Sequence, residues 1–192
     1  MKEKLIMQKI LFSRDSECIQ PIRELIEKQK HRTLVLWALD CTPPFLEIFE
    51  EKYPHEKRPR DMIEIAKAWA RGDVKMPVAK KAIHATHNAA TAAEDNPAAQ
   101  AAARAIGHAA ATIHVETHAL GLVFYGLTAL VYSADPKCKD IVVVQGCQWF
   151  YDRLLYWETN VDKVEMTWAS FLMRENVPNK EKLLREKMQK KA

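Results

Sequence analysis

The stretch Ala82-Ile83-His84-Ala85-Thr86-His87-Asn88-Ala89-Ala90-Thr91-Ala92-Ala93-Glu94-Asp95-Asn96-Pro97-Ala98-Ala99-Gln100-Ala101-Ala102-Ala103-Arg104-Ala105-Ile106-Gly107-His108-Ala109-Ala110-Ala111-Thr112 decides the fold. Fifteen of these thirty-one residues are alanine, the strongest helix former, and Asp95, Asn96 and Pro97 interrupt them with a turn-and-restart signal. Two helices folded into a hairpin are therefore expected. Alanine lets their backbones approach closely, so the seam between them is narrow. Five of the seven histidines lie between His84 and His118. An imidazole projecting into so narrow a space needs a hydrogen-bond partner, a metal or water.

Outward from this hairpin, helical rhythm extends over nearly the whole chain, with only five glycines and with nine prolines placed where helices can start or be interrupted. The expected helices are Lys4 to Leu11, Cys18 to Gln29, Arg32 to Cys41, and, after a break at Pro43 and Pro44, Phe45 to Lys52. Next come Pro59 to Arg71, closed by Gly72, and Pro77 to Glu94. Helical character then runs from Pro97 to Ser133 with a break near Gly121 or Gly126. Lys137 to Trp157, Val161 to Arg174 and Lys180 to Lys190 complete the series. The β-branched run Ile141 to Val144 would suit a strand, but Val144, Cys147, Phe150, Leu154 and Trp157 keep a helical period. The expected fold is all-α, an antiparallel multi-helix bundle or stacked helical hairpins, with residues 1–192 in one domain.

Composition narrows the function. With 192 residues, 22.1 kDa and 48% apolar side chains, the chain can bury one full core. The net charge of +4 arises mostly in the basic stretch Asn179 to Ala192. No aromatics alternate with those charges, which argues against a nucleic-acid partner. Cys18, Cys41, Cys138 and Cys147 form no CxxC pair, so reduced thiols are expected. Met1 to Ile10 lacks a signal-peptide core, and the longest apolar run, Ala119 to Ala134, is sixteen residues. That is short of the roughly twenty needed to cross a bilayer, so no membrane association and a cytoplasmic location are expected. Neither a Gly-rich phosphate loop nor a GxSxG elbow is present.

Four motifs in order, Trp37-Ala-Leu-Asp-Cys41, Arg58-Pro-Arg60, Ala68-Trp-Ala-Arg-Gly72 and Gly107-His-Ala-Ala-Ala-Thr-Ile-His114-Val-Glu-Thr-His118-Ala-Leu-Gly121, resemble the fifth-immunity-protein-like family of bacterial polymorphic toxin systems. The resemblance implies an all-α cytoplasmic protein that protects the producing cell by binding a cognate protein toxin. It supplies no catalytic residues. It spans Leu34 to Ala134, leaving residues 135–192 as a C-terminal helical extension.

Several residues invite a chemical role. His114 and His118 are four apart and His84 and His87 three apart, so two facing helices could present four ligands to a divalent transition metal such as zinc. The alternative is four rings that fill an Ala-lined seam and hydrogen-bond across it, with no cofactor. His108 points well around the helix from His114 and meets another neighbour. Glu116 does not complete a zinc-protease motif, because it stands two residues after His114 rather than one; it is expected at the surface or opposite a cation such as Arg104 or Arg60. Asp40 follows an apolar segment and needs a cation, for which Arg58 and Arg60 are candidates. The aromatics of Gln148 to Trp157 occupy more than one side of a helix, which makes Trp149, Tyr151 and Trp157 candidate partner-binding or self-association residues. The expected function is toxin neutralisation by occlusion. The alternative is a metal-dependent helical-bundle enzyme built on the four histidines.

Overall fold

The computed structural model describes residues 10–174 and 177–190. Among them are nine α-helices and no strand: α1 (Gln20–Ile26), α2 (His31–Asp40), α3 (Pro43–Lys52), α4 (Arg58–Arg71), α5 (Met76–Ala92), α6 (Pro97–Ala111), α7 (His118–Ser133), α8 (Lys139–Asn160) and α9 (Lys180–Gln189). The helix expected over Lys4 to Leu11 lies almost wholly outside the described residues; Ile10 and Leu11 themselves are not helical.

Prolines start helices here. Proline occupies the first or second position of α1, α3, α4, α5 and α6, where its missing N–H removes no intrahelical bond. The Asn96 side chain caps α6 by accepting the Ala99 N–H at 2.9 Å. Gly72 ends α4 in the left-handed region at φ 86°, and the N–H of Asp73 returns to the Ala68 carbonyl at 2.9 Å.

Helix α6 is the axis of the bundle. Ten of its residues are buried, and α2, α3, α4, α5 and α7 all pack against it. One side of the core gathers Trp37, Phe45, Phe49, Leu120 and Phe150. The other joins Val35, Met62, Trp69 and Ile113 to Leu172 from the C-terminal segment. The Trp37 indole N–H donates to the Phe150 carbonyl at 3.0 Å, fixing α8 against α2.

Two expectations are corrected. The chain breaks at 112–117, not near Gly121 or Gly126, which both lie inside α7. These glycines mark close approach: a Cβ on Gly126 would stand 2.6 Å from Phe45 Cζ and 2.8 Å from Phe150 Cζ. The helix expected over Val161 to Arg174 is replaced by two 3-10 turns, Val161–Lys163 and Ser170–Met173, joined by non-helical chain. Here the backbone bonds to another element: Ala169 N–H donates to the Ala70 carbonyl at 2.8 Å, drawing Ala169 and Leu172 into the core beside Trp69.

Gly126→Ala separates packing from propensity. Alanine gains about 1 kcal/mol of intrinsic helix preference over glycine, whereas overpacking a filled core costs about 1–3 kcal/mol. The balance is about 0–2 kcal/mol against the variant, and because the two rings are buried and braced the upper half of that range, net destabilisation of about 1–2 kcal/mol, is expected. Denaturant titration checks this; equal or greater stability would show that the rings move aside freely.

Candidate functional site

The histidine seam brings together α5, α6 and α7. His87 comes from α5, His108 from α6, and His118 is the first residue of α7. His108 Nδ1 and His118 Nδ1 lie 3.2 Å apart, so one donates its proton to the other. The His108 ring stacks on Tyr125 at 5.1 Å, and His87 meets its edge at 5.7 Å. Glycine makes room for these rings. A Cβ on Gly107 would stand 2.6 Å from His87 Cε1, and one on Gly121 would overlap the His108 ring.

Burial lowers the pKa of all three imidazoles, and neighbouring Arg104 or histidine charge adds to it. His87 falls to about 4 and His108 to about 3. Both rings are therefore neutral near pH 7. His87 Nδ1 is buried with no hydrogen-bond partner among the described residues, an environment that opposes a charged ring.

The structure distributes the four sequence-named histidines differently from their expected pairing. His84 is exposed on α5. His114 lies in the connection between α6 and α7, exposed, with its ring stacked on Trp69 at 6.3 Å. It shares no helix with His118. His87 and His118 instead flank His108, which counting along one continuous helix set apart. Among the described residues no group of three or more His, Cys, Asp or Glu side chains is arranged to hold a metal ion.

Glu116 and Asp40 also have other partners than expected. Glu116 is buried, only 3% exposed, with Oε1 3.7 Å from His31 Nδ1. Arg104 donates to Thr91 at 3.0 Å and Arg60 to Glu50 at 2.7 Å, so neither serves Glu116. Asp40 accepts from Arg153 Nε at 2.7 Å and from the Trp157 indole at 3.0 Å. Arg58 turns to Glu56. A clasp between α2 and α8 thus replaces the expected local pair.

That clasp bears on the aromatic stretch of α8. Trp157 is half-buried by it, and Trp149 is half-buried against Phe45 and Phe150. Tyr151 is half-buried as well. The outward face of α8 carries Ile141 (58% exposed) and Val144 (69%) at one end and Leu155 and Tyr156 (49%) at the other. Gln145, Gln148 and Asp152 lie between them, also exposed. The Arg153 guanidinium covers one side of Tyr156 at 5.0 Å.

The seam gives a pH prediction with a definite sign. Its rings have folded pKa values depressed below the unfolded value of about 6.5, so the unfolded state binds protons more readily. Stability is complete above about pH 6.5 and falls below it, by up to about 1.4 kcal/mol per pH unit for each histidine, towards the folded values. Melting curves from pH 8 to 5 should show this loss, and His108→Gln should show a shallower one. Identical slopes in the two proteins would remove His108 from the account.

No described helix is long and apolar enough to cross a membrane. Comparison with curated proteins and with solved structures yields no match. A family profile described as "Imm-5 like putative immunity protein" matches residues 24–155. This stretch takes in α2 to α7 and most of α8, so it reaches beyond the core of Leu34 to Ala134 at both ends. It contains the histidine seam, Asp40 and Arg153 of the clasp, and Glu116, and it covers more than half of the chain. The chain belongs to this immunity-protein family.

Proposed function

We propose that this protein neutralises a cognate bacterial protein toxin by binding it and occluding its working surface. Family membership over residues 24–155 carries the reading. Immunity by occlusion needs a complementary surface held on a rigid support and no chemistry of its own. Helix α8 offers such a surface: it is clasped to α2 through Asp40 and anchored by Phe150, while Ile141, Val144, Leu155 and Tyr156 face outward. Exposed apolar groups separated by polar ones suit a partner interface, whose energy concentrates in a few large side chains. Trp149, Tyr151 and Trp157 act at its edge, where a partner would cover what the bundle leaves open.

Co-expression with the toxin, sought as the product of the neighbouring gene, tests the proposal. The protein should restore growth, and the purified pair should form a complex of fixed stoichiometry. Val144→Glu and Tyr156→Ala should each weaken that complex about tenfold or more while leaving the circular dichroism unchanged. Trp149→Ala and Trp157→Ala should lower both stability and affinity, because these rings also pack inward. Rescue at strongly substoichiometric protein, with altered toxin and no complex, would replace occlusion by turnover.

A further inference from the structure

A cavity of about 330 Å³ opens between the α1–α2 connection, the end of α4, the α6–α7 connection and the described residues 171–174 and 177–180. Its inner part holds Glu116, whose Oε2 is buried and has no hydrogen-bond partner among the described residues. A buried carboxylate oxygen left without a donor costs more than most neutral groups, because charge-assisted bonds are the strong ones. His31 does little to relieve it. His31 Nε2 is engaged with the Thr112 carbonyl at 2.7 Å, and its Nδ1 is 3.7 Å from the other carboxylate oxygen, beyond normal hydrogen-bond distance. Trp69 and Phe171 form an aromatic wall, 6.2 Å apart. Exposed Arg174 and Lys180 stand at the mouth.

We infer that this cavity binds a small dipolar molecule, with a guanidinium or ammonium group at Glu116 and a carboxylate at Arg174 and Lys180. One pole alone meets only half of the site: a simple cation must pass the basic mouth, and a simple anion meets the Glu116 carboxylate. Two other cations line the cavity, Lys30 and Arg32, and both reach Asp162, at 3.3 and 3.2 Å. Their charge is thereby partly offset, leaving Arg174 and Lys180 to define the outer pole. His114, also in the lining, has its pKa lowered by partial desolvation and by Lys180, which disfavours a further positive charge beside the inner pole. Glu116, His31 and Trp69 lie within the family match, whereas Phe171, Arg174 and Lys180 lie beyond it. The site is completed by the C-terminal extension and is separate from the outward face of α8.

Calorimetric titration of the full chain with 4-guanidinobutyrate, agmatine and glutarate tests the two poles. 4-Guanidinobutyrate should bind in a 1:1 ratio, about tenfold or more tightly than agmatine, which is cationic at both ends, or glutarate, which is anionic at both. Glu116→Gln should weaken it by a similar factor without lowering the melting temperature. Should that variant misfold, Lys180→Gln at the exposed mouth carries the test, weakening 4-guanidinobutyrate and leaving agmatine no weaker. No saturable binding of 4-guanidinobutyrate overturns the inference, as does equal affinity for a single-pole analogue. Binding that neither variant alters overturns it too.

Discussion

Burial of α6 on nearly all sides is the constraint on which the rest of the structure depends. A helix enclosed by five others must present small side chains, and α6 does so with a near-continuous series of alanines and Gly107. Each methyl group contributes little by itself. The gain is in close approach, which packs the surrounding backbones at near-crystalline density and leaves no room for error in side-chain volume. Where glycine replaces alanine, a ring fills the space: His87 at Gly107, His108 at Gly121, and Phe45 with Phe150 at Gly126. The histidine seam follows from this axis. Its rings are half-buried, and desolvation by the packing around them lowers their pKa values.

The periphery is held differently. Helix α8 is attached to α2 by Asp40, Arg153 and Trp157, and α9 is attached by Glu181, which is fully buried and pairs with Arg14 at 3.0 Å and Arg23 at 3.6 Å. Arg185 adds a bond to Glu27 at 3.1 Å. Such buried pairs specify where an element docks more than they stabilise it, because desolvation offsets much of the attraction. Within the basic C-terminal stretch, Arg185 is thus paired with Glu24 of α1 and with Glu27 at its end. This arrangement leaves two surfaces open, the outward face of α8 and the mouth beside Glu116.

Much of the fold was legible in the sequence because local signals agreed with packing. Proline at helix starts, the restart signal Asp95-Asn96-Pro97 and Gly72 as a stop each act locally, and each element begins or ends beside them. Gly121 and Gly126 were misleading for the converse reason. A glycine within a helix reads as a breaker, yet these are required by rings supplied from distant segments. The true break at 112–117 has neither glycine nor proline, and Thr112 there binds back to the His108 carbonyl through both its N–H and its hydroxyl. Misplacing that break put His114 and His118 on one helix and left out His108. Asp40 is recognisable as a group needing a partner, but Arg153 is 113 residues away and no local pattern points to it, and nothing local marks Glu116, expected at the surface or opposite a cation, as buried. The segment 164–174 is apolar enough to suggest a helix, and only its backbone bond to α4 shows why it is not one.

Hydrogen exchange of the free protein and of its toxin complex probes both the central axis and the surface it supports. The account predicts that α6 amides exchange most slowly in both states, opening only with global unfolding, and that added protection in the complex concentrates along α8. Early exchange of α6 in the free protein, or complex-induced protection confined to the histidine seam, would contradict it.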